Sequence, residues 1–127
     1  MSVEKLLWEE DAVGLAARVK GGEVSAPELT EAAIARAERV NPEINAIAER
    51  LYERARKQAQ TVDRNAPLAG VPFAIKDLGI AIKGVPTHGG SRVKALVPDF
   101  DSVLTERSVA AGLIPIVTST SPQSAPP

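Results

Sequence analysis

The chain has 127 residues, 44% of them hydrophobic and 24% charged, and its 15 Lys and Arg against 16 Asp and Glu leave a formal net charge of -1. This length and composition fit one soluble domain, and the missing basic surplus excludes an electrostatic nucleic-acid binder. The absence of cysteine excludes disulfides and thiolate chemistry.

No apolar run approaches the roughly 20 residues that a membrane span needs. The start, MSVEKLLWEEDAVG, carries acids where a secretory signal has a basic and then an apolar stretch, so we expect a soluble, cytoplasmic protein. With one Trp, one Tyr and two Phe, the core must be built from Ala, Val, Leu and Ile.

The front end reads as helices. Residues 9–20 place Val13, Ala16, Ala17 and Val19 at near-helical spacing, and Gly21-Gly22 stops the helix. Ser25 and Glu28 have capping-box spacing, with Pro27 in the first turn, where its missing N–H costs little. Leu29, Ala32, Ala33, Ala37 and Val40 form the stripe of this second helix, and Asn41-Pro42 ends it. Ile44, Ala46 and Ala48 alternate as a short strand would. From about Glu49 the pattern is helical again, with Leu51, Ala55 and Ala59 inward. There is no internal repeat and no heptad run.

The pattern then changes. Val71, Phe73, Ala74 and Ile75 read as a buried strand, and 78–82 as a second strand or ribbon. VPTHGGSR, 85–92, has the composition of a loop. Residues 101–112 read as a helix capped by Asp101 or Ser102, with Val103, Leu104, Val109 and Ala110 inward and Gly112 at its end. LIPIV, 113–117, is another strand, so strand, helix and strand follow one another as in an α/β sheet. TSTSPQSAPP has nothing apolar to bury and reads as a loose tail.

The unusual position is Lys76, which stands at the end of the apolar run and is followed by Asp77. It is either a buried amine with a chemical task or the solvated end of an edge strand, and composition alone favours the second, since lysine is rarely buried unpaired. Asp77 could pair with Lys76 or cap the following turn. Ser91 and Lys94 fit an S-x-x-K pattern, but its companion motifs are missing. His88 is the only histidine, and one imidazole assembles no metal site without convergent partners, so a loop residue near a site mouth, at most a substrate contact, is expected. HGGSR is not followed by G-K-[ST], which argues against a phosphate cradle.

GVPFAIKDLGIAIKGVPTHGGSR, 70–92, resembles the early core of the amidase signature family, serine amide hydrolases with a Ser–cis-Ser–Lys triad. The family's G-[VI]-P-x-x-[VIL]-K-D strand is matched by Gly70, Val71, Pro72, Ile75, Lys76 and Asp77. Its G-x-x-T-x-x-G-S loop is matched by Gly84, Thr87, Gly90 and Ser91. The leader is similar too, through Ser25, Glu28 and Leu29 and the Ile44-Asn45-Ala46 segment, and DSVLTERSVAAGLIPI is similar to the family's next helix and strand. NPEINAI and AGVPF-x-x-KDL look slightly nearer to the cyclic aminohexanoate-dimer hydrolase branch. The resemblance runs from about residue 8 to residue 116.

It implies an α/β fold in which N-terminal helices precede the first strands of a larger mixed sheet, here incomplete. It implies Lys76 as the catalytic base and carbon–nitrogen amide bond cleavage through an acyl-enzyme on a small-molecule substrate, with no cofactor, metal, nucleic-acid or membrane partner. A lysine acts as base only when neutral, which burial favours. After the strand at 113–116, members continue G-K-T-[NS]-x-P-E, whereas this chain has Val117, Thr118, Ser119, Thr120, Ser121, Pro122 and Gln123. The serine-rich signature with the nucleophile and the cis serine is not in this sequence. We therefore expect 1–116 to be the N-terminal part of an amidase-signature domain and 117–127 an atypical Ser/Pro-rich tail, truncated or shifted in frame near residue 117. Such a chain should be inactive alone and self-associating, or ragged at its C-terminal end. Two alternatives stay open: a catalytically dead remnant or assembly piece, and part of a glutamyl-tRNA amidotransferase A-type subunit.

Overall fold

The computed structural model describes residues 2–92 and 95–121. Its elements, in chain order, are helices α1 (Val3–Glu9), α2 (Ala12–Lys20) and α3 (Ala26–Ile44), strand β1 (Ile47–Arg50), α4 (Tyr52–Thr61), β2 (Pro72–Lys76), α5 (Val103–Ala110) and β3 (Ile114–Ser119). This is the α/β class that the sequence implies.

The starts of α1, α2, α3 and α5 are each held by a short polar side chain, whereas α4 starts at Leu51 without one. Ser2 accepts from the Lys5 N–H at 3.2 Å, and Asp11 accepts from the Gly14 N–H at 2.7 Å. The helix expected from residue 9 therefore starts at Ala12, because Glu9 ends the separate helix α1 and Asp11 caps the new one. At α3 the capping box is complete: the Glu28 N–H donates to Ser25 Oγ at 3.2 Å, and the Ser25 N–H donates to Glu28 Oε1 at 3.0 Å.

Asn41-Pro42 does not end α3, which runs to Ile44 with Pro42 inside it. The proline sits in the last turn, where one lost hydrogen bond is tolerated, and its φ already suits a helix. Termination falls instead to Asn45, left-handed at φ 48°, while Asn41 Oδ1 accepts from the Ala46 and Ile47 N–H groups at 2.9 and 3.1 Å. Ile44 is therefore helical, and β1 starts three residues later than the alternation suggests.

The sheet has three strands in the order β1-β3-β2. β1 is antiparallel to β3, whereas β2 and β3 are parallel and joined through α5. The turn from α5 into β3 needs Gly112, at φ 98°, because a Cβ there would stand 2.6 Å from Ala69 Cα. That close approach lets the Gly70 N–H donate to the Gly112 carbonyl at 2.9 Å, which aligns the starts of β2 and β3.

The core has three parts. Leu6, Leu15, Val19, Leu29 and Val71 pack under α2, and Ala33, Ala55, Ile114, Ile116 and Val117 fill the space between helices and sheet. Leu51, Ile75 and Ile82 form the third part, with Ile80 and Val85 against them. Leu51, Ala55 and Ala59 face inward as α4's pattern predicts. α1 is clasped to α3 by the Glu4–Arg39 ion pair and by the Arg36 guanidinium, 3.9 Å from the Trp8 ring centre.

Three further expectations are corrected. Val13 is exposed, and Leu15 takes the inward place in α2. Residues 78–82 form no strand; they bend through Gly79, at φ 74°, and lay Ile80 and Ile82 over Ile75 as a cover. In α5, Val103 and Leu104 are 60% and 53% exposed, and the buried face is Thr105 and Ser108. Thr105 is drawn inward because its hydroxyl donates to the Ala81 carbonyl at 2.8 Å. Of the tail expected from residue 117, β3 takes up the first three positions, and 122–127 lie outside the described residues. Among the described residues no helix is long and apolar enough to cross a membrane.

Candidate active site

The candidate site lies where β2 ends. In this strand Ile75 is buried and its neighbours Ala74 and Lys76 are exposed, as the two-residue period requires. Lys76 is paired in register with Ser119 of the parallel strand β3. The amine expected in a buried setting is therefore exposed in this chain: the apolar run before it packs mostly through the other face of the strand. The next residue on Ile75's side is Asp77, only 3% exposed.

Asp77 neither pairs with Lys76 nor caps its own turn. Its N–H donates to the Ser119 carbonyl at 3.0 Å, extending the ladder by one bond. Its carboxylate accepts from the His88 backbone N–H, with Oδ1 at 3.2 Å and Oδ2 at 3.3 Å. His88 is also held at its ring, where Nε2 lies 3.1 Å from Glu49 Oε1 on β1. So the sole histidine does belong to a loop beside the strand ends, as expected, and its anchor on Glu49 is new.

The glycine loop is closed by its own hydrogen bonds. Thr87 and Leu96 exchange N–H donors at 2.8 and 3.0 Å, the Gly84 N–H reaches the Pro98 carbonyl at 2.9 Å, and the Ser91 N–H reaches the His88 carbonyl at 3.0 Å. Gly89 and Gly90 take left-handed φ values of 58° and 74°, a pair of conformations that side chains strain. Ser102 caps α5, and Asp101, the other candidate cap, accepts from the Lys83 N–H at 2.7 Å. The structure thus brings Lys76, Asp77, Thr87, His88 and the glycines to one end of the sheet. Lys94 lies outside the described residues.

On the Lys76 side of the sheet, a groove of about 550 Å³ opens between α3 and strands β2 and β3. Val40, Ile44, Phe73, Ala74, Val117 and Ser119 are among its walls, so it is mainly apolar and reaches Lys76's register partner. A single amine beside an apolar groove can take or give a proton; it supplies no nucleophile and no oxyanion donors. Glu49 and Ser119 were missed in the sequence, because nothing local ties them to partners as distant along the chain as His88 and Lys76. Asp77's burial was readable: two residues after Ile75, it shares Ile75's side.

The chain and its fold are those of a known family. The family model described as Amidase matches residues 28–126, and the chain belongs to that family. It is 36% identical over 120 residues to the 6-aminohexanoate-cyclic-dimer hydrolase of Paenarthrobacter ureafaciens, an alignment covering 92% of this chain and 24% of that protein. It is 44% identical over 105 residues to the A-type subunit of the glutamyl-tRNA(Gln) amidotransferase from Synechococcus sp. (strain WH7803), covering 76% of this chain and 21% of that one. A solved structure of 6-aminohexanoate cyclic dimer hydrolase superposes with a TM-score of 0.82 at 35% identity, over 91% of this chain and 24% of the other. The chain thus spans about a quarter of the length of these relatives.

Proposed function

We propose that this chain is the N-terminal portion of an amidase that cleaves carbon–nitrogen amide bonds through an acyl-enzyme, with Lys76 as its base. The observation that carries this reading is the position of Lys76 at the carboxyl end of a strand parallel to its neighbour, in register with Ser119, which lines an apolar groove. Active groups in open α/β sheets gather at that end. In the complete architecture a cis serine links Lys76 to the nucleophile. Lys76 takes the nucleophile's proton as the hydroxyl attacks the substrate carbonyl, and returns it to the departing amine. Water then releases the acid by the same route. Packing of the remaining architecture over the groove desolvates the amine. A small cyclic or linear amide is the substrate class, and the cytoplasm is the compartment.

By itself the 127-residue chain has the lysine without the serine pair, so no turnover is expected. Its exposed groove and the Val103 and Leu104 surface favour self-association. The test is a chimera in which residues 28–119 replace the corresponding segment of the Paenarthrobacter hydrolase. The chimera should hydrolyse the cyclic dimer, and Lys76→Ala should abolish this without loss of folding. Full activity in Lys76→Ala rejects the assignment.

A second reading, part of an amidotransferase A-type subunit, is supported by the 44% identity to the Synechococcus protein. It is favoured if the corresponding chimera with the Synechococcus protein releases ammonia from glutamine while the hydrolase chimera is inert.

A further inference from the structure

We infer that Asp77 is a positioning residue, whose buried carboxylate pins the glycine loop across the end of β2, the strand that carries Lys76. This rests on the proposed role of Lys76 only for its catalytic consequence; the pinning stands on geometry alone.

A carboxylate at 3% exposure is costly unless it is well bonded. Asp77 recovers that cost through the His88 N–H, at 3.2 and 3.3 Å, while its own N–H holds β3 through Ser119 at 3.0 Å. One residue therefore ties together three pieces of backbone: the end of β2, the end of β3 and the middle of the loop. Its position in the sequence makes this possible. Adjacent strand residues face opposite sides, so Lys76 is left toward the groove while Asp77 turns under the loop. The loop needs such an anchor because Gly89 and Gly90, directly after His88, have more backbone freedom to lose than any other residue type. Glu49 supplies a second hold at the imidazole, 3.1 Å away. That contact is between partly exposed side chains, whereas Asp77 is buried and holds the backbone itself, so the bond to Asp77 is the stronger constraint.

Amide hydrogen exchange on the 127-residue chain tests this directly. In Asp77→Ala, the amides of 87–91 should exchange about tenfold faster or more, as for a local opening, while those of β3 and α4 keep their protection. Asp77→Asn retains an acceptor oxygen and should restore most of the loop's protection, and His88→Ala, which keeps the N–H, should alter it little. If Asp77→Ala does not fold, His88→Pro deletes the donor and leaves the carboxylate. It should free the loop where His88→Ala does not. Unchanged loop exchange in folded Asp77→Ala, or equal exchange in His88→Pro and His88→Ala, overturns the pinning.

In the hydrolase chimera, Asp77→Ala should lower kcat about 100-fold with KM little changed, the signature of misplaced groups, and Asp77→Asn should recover part of it. A chimera indifferent to Lys76→Ala rejects the functional reading and leaves the exchange result standing. A chimera that needs Lys76 but ignores Asp77→Ala rejects the positioning role alone.

Discussion

Lys76 and Asp77 are consecutive in the chain and lie on opposite sides of the sheet, the amine exposed and the carboxylate buried. This inverts the expectation raised by the apolar run before them. Burial here follows the two-residue alternation of a strand, not proximity to hydrophobic neighbours in sequence.

The two residues should therefore separate in a stability measurement. Urea unfolding of Lys76→Ala should stay within about 0.5 kcal/mol of the parent, as for an exposed surface site. Asp77→Ala leaves the His88 N–H without its acceptor and should cost about 1–3 kcal/mol. Equal losses in the two variants would mean that the alternation has been misassigned.

Tyr52 offers a pH test. Its phenol is pushed up to about 12, first by burial and then by the hydrogen bond to Glu38, at 2.6 Å. A folded-state value above the unfolded one stabilises the fold fully below the unfolded pKa, near 10, and this contribution is lost as pH rises through the folded value. Absorbance titration should give a phenolate midpoint near 12 in the folded chain. In Tyr52→Phe the loss of stability between pH 10 and 12 should be smaller than in the parent.

Gly112→Ala should be far more harmful than a surface substitution. The residue is at φ 98°, and the added Cβ would meet Ala69 Cα at 2.6 Å and its nitrogen at 2.8 Å, both backbone atoms that cannot rotate away. We expect the Gly70–Gly112 hydrogen bond to break and the thermal midpoint to fall by several degrees, as about 1 kcal/mol or more is lost. Circular dichroism melts of Gly112→Ala against Gly21→Ala, whose Cβ meets nothing closer than 3.4 Å, make the comparison.

Self-association should be visible in light scattering as a mass above one chain. Val103→Ser with Leu104→Ser should reduce it without unfolding α5, because both side chains point away from the buried face. A monomer that melts in a single sharp transition at the same concentration contradicts the uncovered-surface argument.

What could be read from residue order were features settled within a few positions: the Ser25–Glu28 capping box, the inward stripe of α4 and the β2 run ending in the amidase-like Lys-Asp. Each depends on spacing along one element, which the backbone geometry fixes locally. Pro42 shows the limit, since a proline in a last turn is a weak stop and the true end at Asn45 needed a side-chain cap from Asn41. The remainder was decided by contacts between distant segments. Ile80 and Ile82 became a cover and not a strand because Ile75 and Leu51 lay beneath them. Thr105 displaced Val103 and Leu104 from the interior because the Ala81 carbonyl was within reach. Asp77 found the His88 N–H, and His88 found Glu49, only after β1 and β2 had been placed on either side of β3. A buried polar group takes whichever partner the assembled backbone puts within about 3 Å, and residue order along the chain carries no measure of that distance.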